Sequence, residues 1–313
     1  MKLTESLCPV CYKRIPAIIY EDSNVMMLKE CKDHGVFTSM IERDPLYYKL
    51  CSGNIYDGYL IDITSKCNLK CKYCYHDNSG EDRIMGDILY EAIKNKSKAP
   101  FILTGGEPTL NQYLPKIIKS LSSIGEVNLL TNGIKLCDET YLNELLESGL
   151  LLEGGILNIS LSLHKESNGK DIEFLEYCLR KGYKLWTLLY VIDDLRQIDD
   201  ALRIFQTYRA TSMNFRIKAA SNLWAEGKSE NKIFTSDMIH YLGSIDEIQF
   251  HDNQKASYAQ VLFQGLDIRL ISWYDVHNVD LWDIDCAPYY KAKDGTVNNL
   301  VTSCLINEGI FKK

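Results

Sequence analysis

The chain has 313 residues, 46% apolar and 25% charged, with a formal net charge of −7, a balance that excludes a disordered or low-complexity protein. The acidic charge weighs against nucleic acid as a partner, because phosphate binding is driven by clustered Lys and Arg. No apolar run reaches the ~18 residues of a membrane span, and MKLTESLCPVCYK lacks the apolar core of a signal peptide, so a cytoplasmic protein is expected.

Residues 1–50 form the first expected unit. Cys8-Pro-Val-Cys11 and Cys31-Lys-Asp-His34 make C-x2-C and C-x2-H knuckles with 19 residues between them, a metal-ribbon spacing. Strand-like runs such as AIIYEDSNVMML lie between the knuckles. So short a segment cannot bury enough apolar surface to fold alone, and metal binding is expected to supply the free energy. The plain ligand set is Cys8, Cys11, Cys31 and His34 around Zn2+. An iron site with Cys51 as the fourth ligand is the alternative.

Residues 51–229 form the second unit. Strand candidates at 58–64, 100–104, 126–131, 156–163, 184–192 and 213–219 alternate with helix candidates near 86–97, 113–123, 139–148, 171–181 and 197–208. In YLPKIIKSLSSI, Leu114, Ile117, Ile118, Leu121 and Ile124 fall on one helical face. Six strands with helices between them predict an α/β fold, a partial (β/α)6 barrel of TIM type; an open doubly wound sheet is the alternative. The third unit, 230–313, is expected to be a β-rich extension closing the barrel, with strand-like YAQVLFQGLDIRLISWYDV and a turn at Asp294-Gly295. Cys137 and Cys178 are expected to be ordinary buried thiols. Cys286 and Cys304 are too few for an auxiliary cluster and read as unrelated core cysteines first, with a vestige of such a cluster or a disulfide-capable pair as the alternatives.

Seven of the eleven cysteines lie in the first 74 residues, and in a reducing compartment such clustering points to metal before disulfides. Cys67, Cys71 and Cys74, in KCNLKCKYCYHD, are spaced C-x3-C-x2-C where the first strand candidate ends. Three thiolates can hold three irons of a [4Fe–4S] cluster and leave the fourth open to an external ligand. In a (β/α) barrel the C-terminal strand ends carry the active site.

CNLKCKYC resembles the C-x3-C-x-Φ-C signature of the radical S-adenosylmethionine (radical SAM) superfamily, with Tyr73 as the aromatic. TGGEP (Thr104–Pro108), LLTNG (Leu129–Gly133) and ISLSLH (Ile159–His164) follow strands two, three and four in the order that family shows. The resemblance implies that Cys67, Cys71 and Cys74 ligate the cluster and that S-adenosylmethionine chelates the open iron. One electron then releases a 5′-deoxyadenosyl radical that abstracts hydrogen from substrate. It further implies that Gly105, Gly106 and Glu107 receive the methionine amino group, that Tyr73 lies against adenine, and that Ser162 meets the ribose or the methionine carboxylate. One of Arg216 and Lys218 is expected to face the interior and pair with that carboxylate. Asn132 is a turn former or a ligand contact. The N-terminal leader is similar to that of archaeal tetraether-lipid-synthase-like members of the superfamily.

Substrate contacts are sought at His76, Trp186, Tyr190, Trp224 and Glu226. The leading functional expectation is a radical SAM enzyme acting on a small molecule or natural product, fed by a low-potential donor of flavodoxin or ferredoxin type. Peptide maturation by crosslinking or epimerisation is the second. A non-catalytic iron–sulfur carrier or redox sensor is the third.

Overall fold

The computed structural model describes residues 1–8, 10, 11, 13–50, 58–71, 74, 80–220, 233–251, 259–271, 290, 291, 297 and 298. Four antiparallel strands, β1 (Lys2–Leu7), β2 (Arg14–Glu21), β3 (Val25–Cys31) and β4 (Gly35–Glu42), pair in sequence order and build the N-terminal sheet. Along β3 the burial alternates, with Val25, Met27 and Cys31 turned inward, as a half-buried strand requires. Its apolar core is small: Ala17, Ile19, Val25, Met27 and Ile41. A short helix, α1 (Pro45–Leu50), leads out of the ribbon, and its Tyr47 joins the main core.

The second sheet begins with β5 (Tyr59–Asp62), α2 (Met85–Lys94), β6 (Phe101–Thr104), α3 (Leu114–Ser122), β7 (Val127–Thr131) and α4 (Glu139–Leu145). A two-residue strand, β8 (Leu151–Leu152), precedes β9 (Ile156–Leu163), α5 (Lys170–Lys181), β10 (Lys184–Ile192), α6 (Gln197–Thr207) and β11 (Ser212–Ala219). Strands β5, β6, β7, β9, β10 and β11 are parallel neighbours in chain order, with β8 hooked antiparallel onto β9. That unreversed order is a barrel wall; a doubly wound sheet reverses its order at a switch point. The wall's outer face is apolar because helices cover it, and Ile61, Leu103, Leu129, Leu161, Leu188 and Ile217 are all fully buried there.

Two elements exceed the sequence reading. Helix α7 (Thr235–Ile245) was not foreseen. YAQVLFQGLDIRLI folds into the hairpin β13 (Ala259–Phe263) and β14 (Leu266–Ile271), preceded by β12 (Gln249–Phe250). Gln264 and Gly265 both have positive φ (49° and 75°), the backbone a two-residue hairpin turn demands. Strand β14 also pairs in parallel with β11 and thus becomes a seventh wall strand. The sheet runs from β12 to β5. Asp294-Gly295, Cys286 and Cys304 lie outside the described residues.

Candidate active site at the C-terminal strand ends

Both ends of the cysteine loop are pinned. Thr64 and Asp82 form a β-bridge, the Thr64 hydroxyl donates to Asp82 at 2.6 Å, and Lys66 pairs with the other Asp82 oxygen at 2.6 Å. Arg83 donates to the Asp62 carbonyl at 2.8 Å and pairs with Glu91 at 2.7 Å. The start of this loop lies directly on the end of β6: Gly106 N–H donates to Thr64 O at 2.8 Å and Glu107 N–H to Lys66 O at 2.7 Å. A Cβ on Gly105 would sit 2.3 Å from Thr64 O, and one on Gly106 2.3 Å from Lys66 O. The two glycines therefore admit the chain's own backbone on one side, and both also line the cavity.

Glu107 lines the cavity and is also tied into the protein. It is 1% exposed, and both carboxylate oxygens accept from the protein. Oε1 takes Thr109 N–H (3.0 Å), the Thr109 hydroxyl (2.6 Å) and the Thr131 hydroxyl (2.7 Å), while Oε2 takes Asn132 N–H at 2.8 Å. Burial pushes its pKa up, against the lowering effect of these donors. Asn132 is a turn former and more: its Oδ1 accepts from Ile134 N–H at 3.1 Å, and its Nδ2 donates to Asn68 in the cysteine loop at 2.8 Å.

Cys67, Cys71 and Cys74 are each partly buried and line one cavity, together with Gly105, Ser162 and His164. Cys71, His164 and Glu166 bring donor atoms within 4.8 Å of one another, as the four ribbon donors do. Three sulfurs on one cavity are the protein ligands that a multi-iron cluster with one open iron takes. Burial, then the negative charges of Glu166, Cys74 and Cys67, pushes the Cys71 thiol up to about 12. Thiolates gathered in such a place require a cationic partner, so the donor set fits an iron–sulfur cluster. His164 Nδ1 lies 3.7 Å from the Cys71 sulfur; the sequence reading placed His164 in a strand-end motif but gave it no role.

The inner wall is polar. Asn128 Nδ2 donates to Asn158 (2.7 Å), Ser160 donates to Asn128 (2.8 Å), and Asn158 donates to Glu126 (2.9 Å). Above this ladder Leu189, Val191 and Lys218 line the cavity. Burial, then the charge of Arg216, lowers the Lys218 pKa to about 7. Arg216 and Lys218 are two residues apart on β11 and so share its inner face; the expectation that only one faces inward is corrected, although Lys218 alone of the two reaches the cavity lining. Tyr190 is corrected for the same reason: it is one residue out of phase with Leu189 and packs in the helix-covered core. Trp186 stands at the opposite, N-terminal end of β10, partly exposed. Cys137 is exposed, where a buried thiol was expected, and Cys178 is buried. Tyr73, Cys51, His76, Trp224 and Glu226 lie outside the described residues.

In the ribbon, His34 Nδ1 lies 3.5 Å from Cys8 Sγ and 3.4 Å from Cys31 Sγ, and Cys11 Sγ lies 3.9 Å from Cys31 Sγ. Zn–S bonds of about 2.3 Å and Zn–N bonds of about 2.0 Å in a tetrahedron place such donors roughly 3.5–3.8 Å apart, so these four fit one zinc ion.

Fold and site together define a partial α/β barrel with a three-thiol centre at its C-terminal mouth and a metal ribbon before it. The Radical SAM superfamily model matches residues 61–205, and the HMPTM N-terminal zinc ribbon domain matches residues 1–43. Residues 61–205 thus carry a radical SAM domain. It is 34% identical over 190 residues to 7,8-dihydro-6-hydroxymethylpterin dimethyltransferase of Methanocaldococcus jannaschii, covering 48% of this chain and 37% of that protein. It is 28% identical over 211 residues to GTP 3′,8-cyclase of Clostridium perfringens, covering 61% and 63%. Among solved structures, SuiB of Streptococcus suis gives a TM-score of 0.46 at 13% identity, covering 73% of this chain and 67% of that one. The chain thus spans a little over a third of the pterin dimethyltransferase and under two thirds of the cyclase. Among the described residues no helix is long and apolar enough to cross a membrane.

Proposed function

We propose that this chain is a radical SAM enzyme acting on a small molecule, with Cys67, Cys71 and Cys74 holding a [4Fe–4S] cluster and the adjoining cavity receiving S-adenosylmethionine. The observation that carries the reading is the convergence of three desolvated thiols, the Gly105-Gly106 edge and Ser162 on one cavity. When bound, the cluster and S-adenosylmethionine supply one-electron cleavage and a hydrogen-abstracting radical. The protein's share is positioning and exclusion of water. Glu107 fixes the turn at Asn132, and Asn132 in turn steadies the cysteine loop through Asn68. Lys218 is the amine on the cavity wall suited to the methionine carboxylate, whose negative charge would favour its protonated form. Cys8, Cys11, Cys31 and His34 hold zinc, which stabilises the ribbon. A flavodoxin- or ferredoxin-type donor delivers the electron.

The small-molecule reading is favoured over peptide maturation because the two relatives are named for a pterin and a purine nucleotide. Both are fused nitrogen heterocycles. The test is anaerobic reconstitution with iron and sulfide, followed by dithionite and S-adenosylmethionine. The unaltered chain is expected to bind about four irons in this centre and release 5′-deoxyadenosine, and Cys71→Ala to do neither. Equal 5′-deoxyadenosine from both would overturn the assignment, and a cluster without turnover would favour an electron carrier.

A further inference from the structure

His164 follows directly on β9 in extended backbone, two residues after Ser162, and both side chains line the cavity. Its backbone is fixed on both sides: the N–H donates to Asp171 Oδ2 at 2.9 Å, and the carbonyl accepts from Ser167 N–H at 3.1 Å. Asp171 is itself buried, in the first turn of α5. The imidazole is therefore carried by the end of the barrel wall, and its Nδ1 lies 3.7 Å from Cys71 Sγ.

Cys71 meets two kinds of neighbour at this point. Glu166, whose donor atom lies within 4.8 Å of those of Cys71 and His164, can accept a proton from a thiol but only repels a thiolate. An imidazole nitrogen can do either of two things: accept from a thiol or, as N–H, donate to a sulfur that has lost its proton. A cysteine that ligates iron is a thiolate, so in the loaded centre the His164 contact persists only with Nδ1 as the donor. Such an N–H dipole offsets negative charge on the sulfur. One electron added to the cluster increases that charge, so the donor favours the reduced state and raises the reduction potential. The Glu166 carboxylate acts in the opposite sense.

We propose that His164 is a positioning residue that donates an Nδ1–H hydrogen bond to the Cys71 sulfur and sets the cluster's reduction potential above the value that Glu166 alone would impose. The inference rests on the reading of Cys67, Cys71 and Cys74 as cluster ligands.

The test is the midpoint potential of the anaerobically reconstituted full-length chain. It is followed through the electron paramagnetic resonance signal of the reduced cluster, in titrations with dithionite and without S-adenosylmethionine. Three substitutions move the donor. In H164N the amide nitrogen can occupy the place of Nδ1, in H164Q it reaches the place of Nε2, and H164L has none. H164Q and H164L should shift the equilibrium toward the oxidised cluster by roughly three- to tenfold, the worth of one hydrogen bond, where tenfold is about 59 mV for one electron. H164N should stay near the unaltered chain, and E166Q should shift the opposite way. Equal potentials in the unaltered chain, H164Q and H164L would overturn the proposal, as would an E166Q shift in the same direction as H164L. So would a fall in H164N equal to theirs, since the ring would then only fill space. If H164L takes up no iron, H164Q decides. Iron lost from all three His164 variants overturns the hydrogen-bond role, because the ring would then be needed to assemble the centre. An unaltered chain that takes up no cluster sinks the ligand reading itself, and iron analysis reveals that before any potential is measured.

Discussion

Glu107 works as an internal tether, and its four hydrogen bonds make the cost of altering it specific. Replacing it with Gln keeps one acceptor but turns an amide donor toward either Asn132 N–H or the threonine hydroxyls. A buried donor facing a donor costs about 1–3 kcal/mol. Glu107→Gln is therefore expected to lower the melting temperature by several degrees and to weaken S-adenosylmethionine binding through the displaced Asn132 turn; unchanged melting would refute the tether. Gly106→Ala tests the same junction sterically. Its Cβ would meet Lys66 O at 2.3 Å, so the cysteine loop must shift, and reconstituted iron content should fall although no ligand is changed. Asp62 supplies a pH signature. Burial, only partly offset by Arg83, pushes its carboxyl up to about 7. Because that folded value exceeds the unfolded one of about 3.9, the unfolded chain releases the proton first. Asp62 thus subtracts stability as pH rises from about 4 to about 7. Asp62→Asn should melt progressively higher than the parent between pH 5 and pH 8. A constant difference across that range would show that Asp62 is not the group.

At the scale of elements, the ribbon and the barrel wall differ in what holds them. The wall is an apolar sheet face covered by helices, and it was readable because buried parallel strands are nearly continuous apolar runs. ILNISLSL and KLWTLLYVI fall at the expected residues as β9 and β10. The ribbon has only a handful of apolar core residues, and its knuckle spacing signalled metal before any strand was visible. His34→Ala should therefore release zinc, measured by metal analysis, and speed amide exchange across β2 and β3. Protection in β7 and β9 should persist. Loss of protection in both sheets together would mean that the ribbon is not a separate folding unit. Helix α7 escaped detection because half of its buried residues, Thr235 and Ser236, carry hydroxyls and leave only Met238 and Leu242 to mark the buried face.

Over the whole molecule, the ribbon is fastened to the barrel through α7. Ser236 hydrogen-bonds to Glu42, Arg43 pairs with Asp237 at 2.9 Å and lies 5.3 Å from the centre of the Phe234 ring, and His240 approaches Asp44 at 3.2 Å. These contacts join residues nearly two hundred positions apart. Arg43→Ala should loosen this seam, giving faster proteolysis near residues 42–47 with zinc retained; zinc loss instead would place Arg43 in the ribbon's own stability. The sequence by itself determined the metal chemistry and the order of strands, because ligand spacing and apolar runs are local properties of the chain. It also pointed to the candidate site, because the cysteine triplet and the three motifs after it each sit at a strand's end. Only the tertiary structure decided that Gly105 and Gly106 make room for backbone and that Glu107 bonds the protein. It likewise decided that Tyr190 faces the core while Arg216 and Lys218 share the inner wall. Those facts depend on which strands become neighbours and in what register, and register is fixed by packing between segments far apart in the chain.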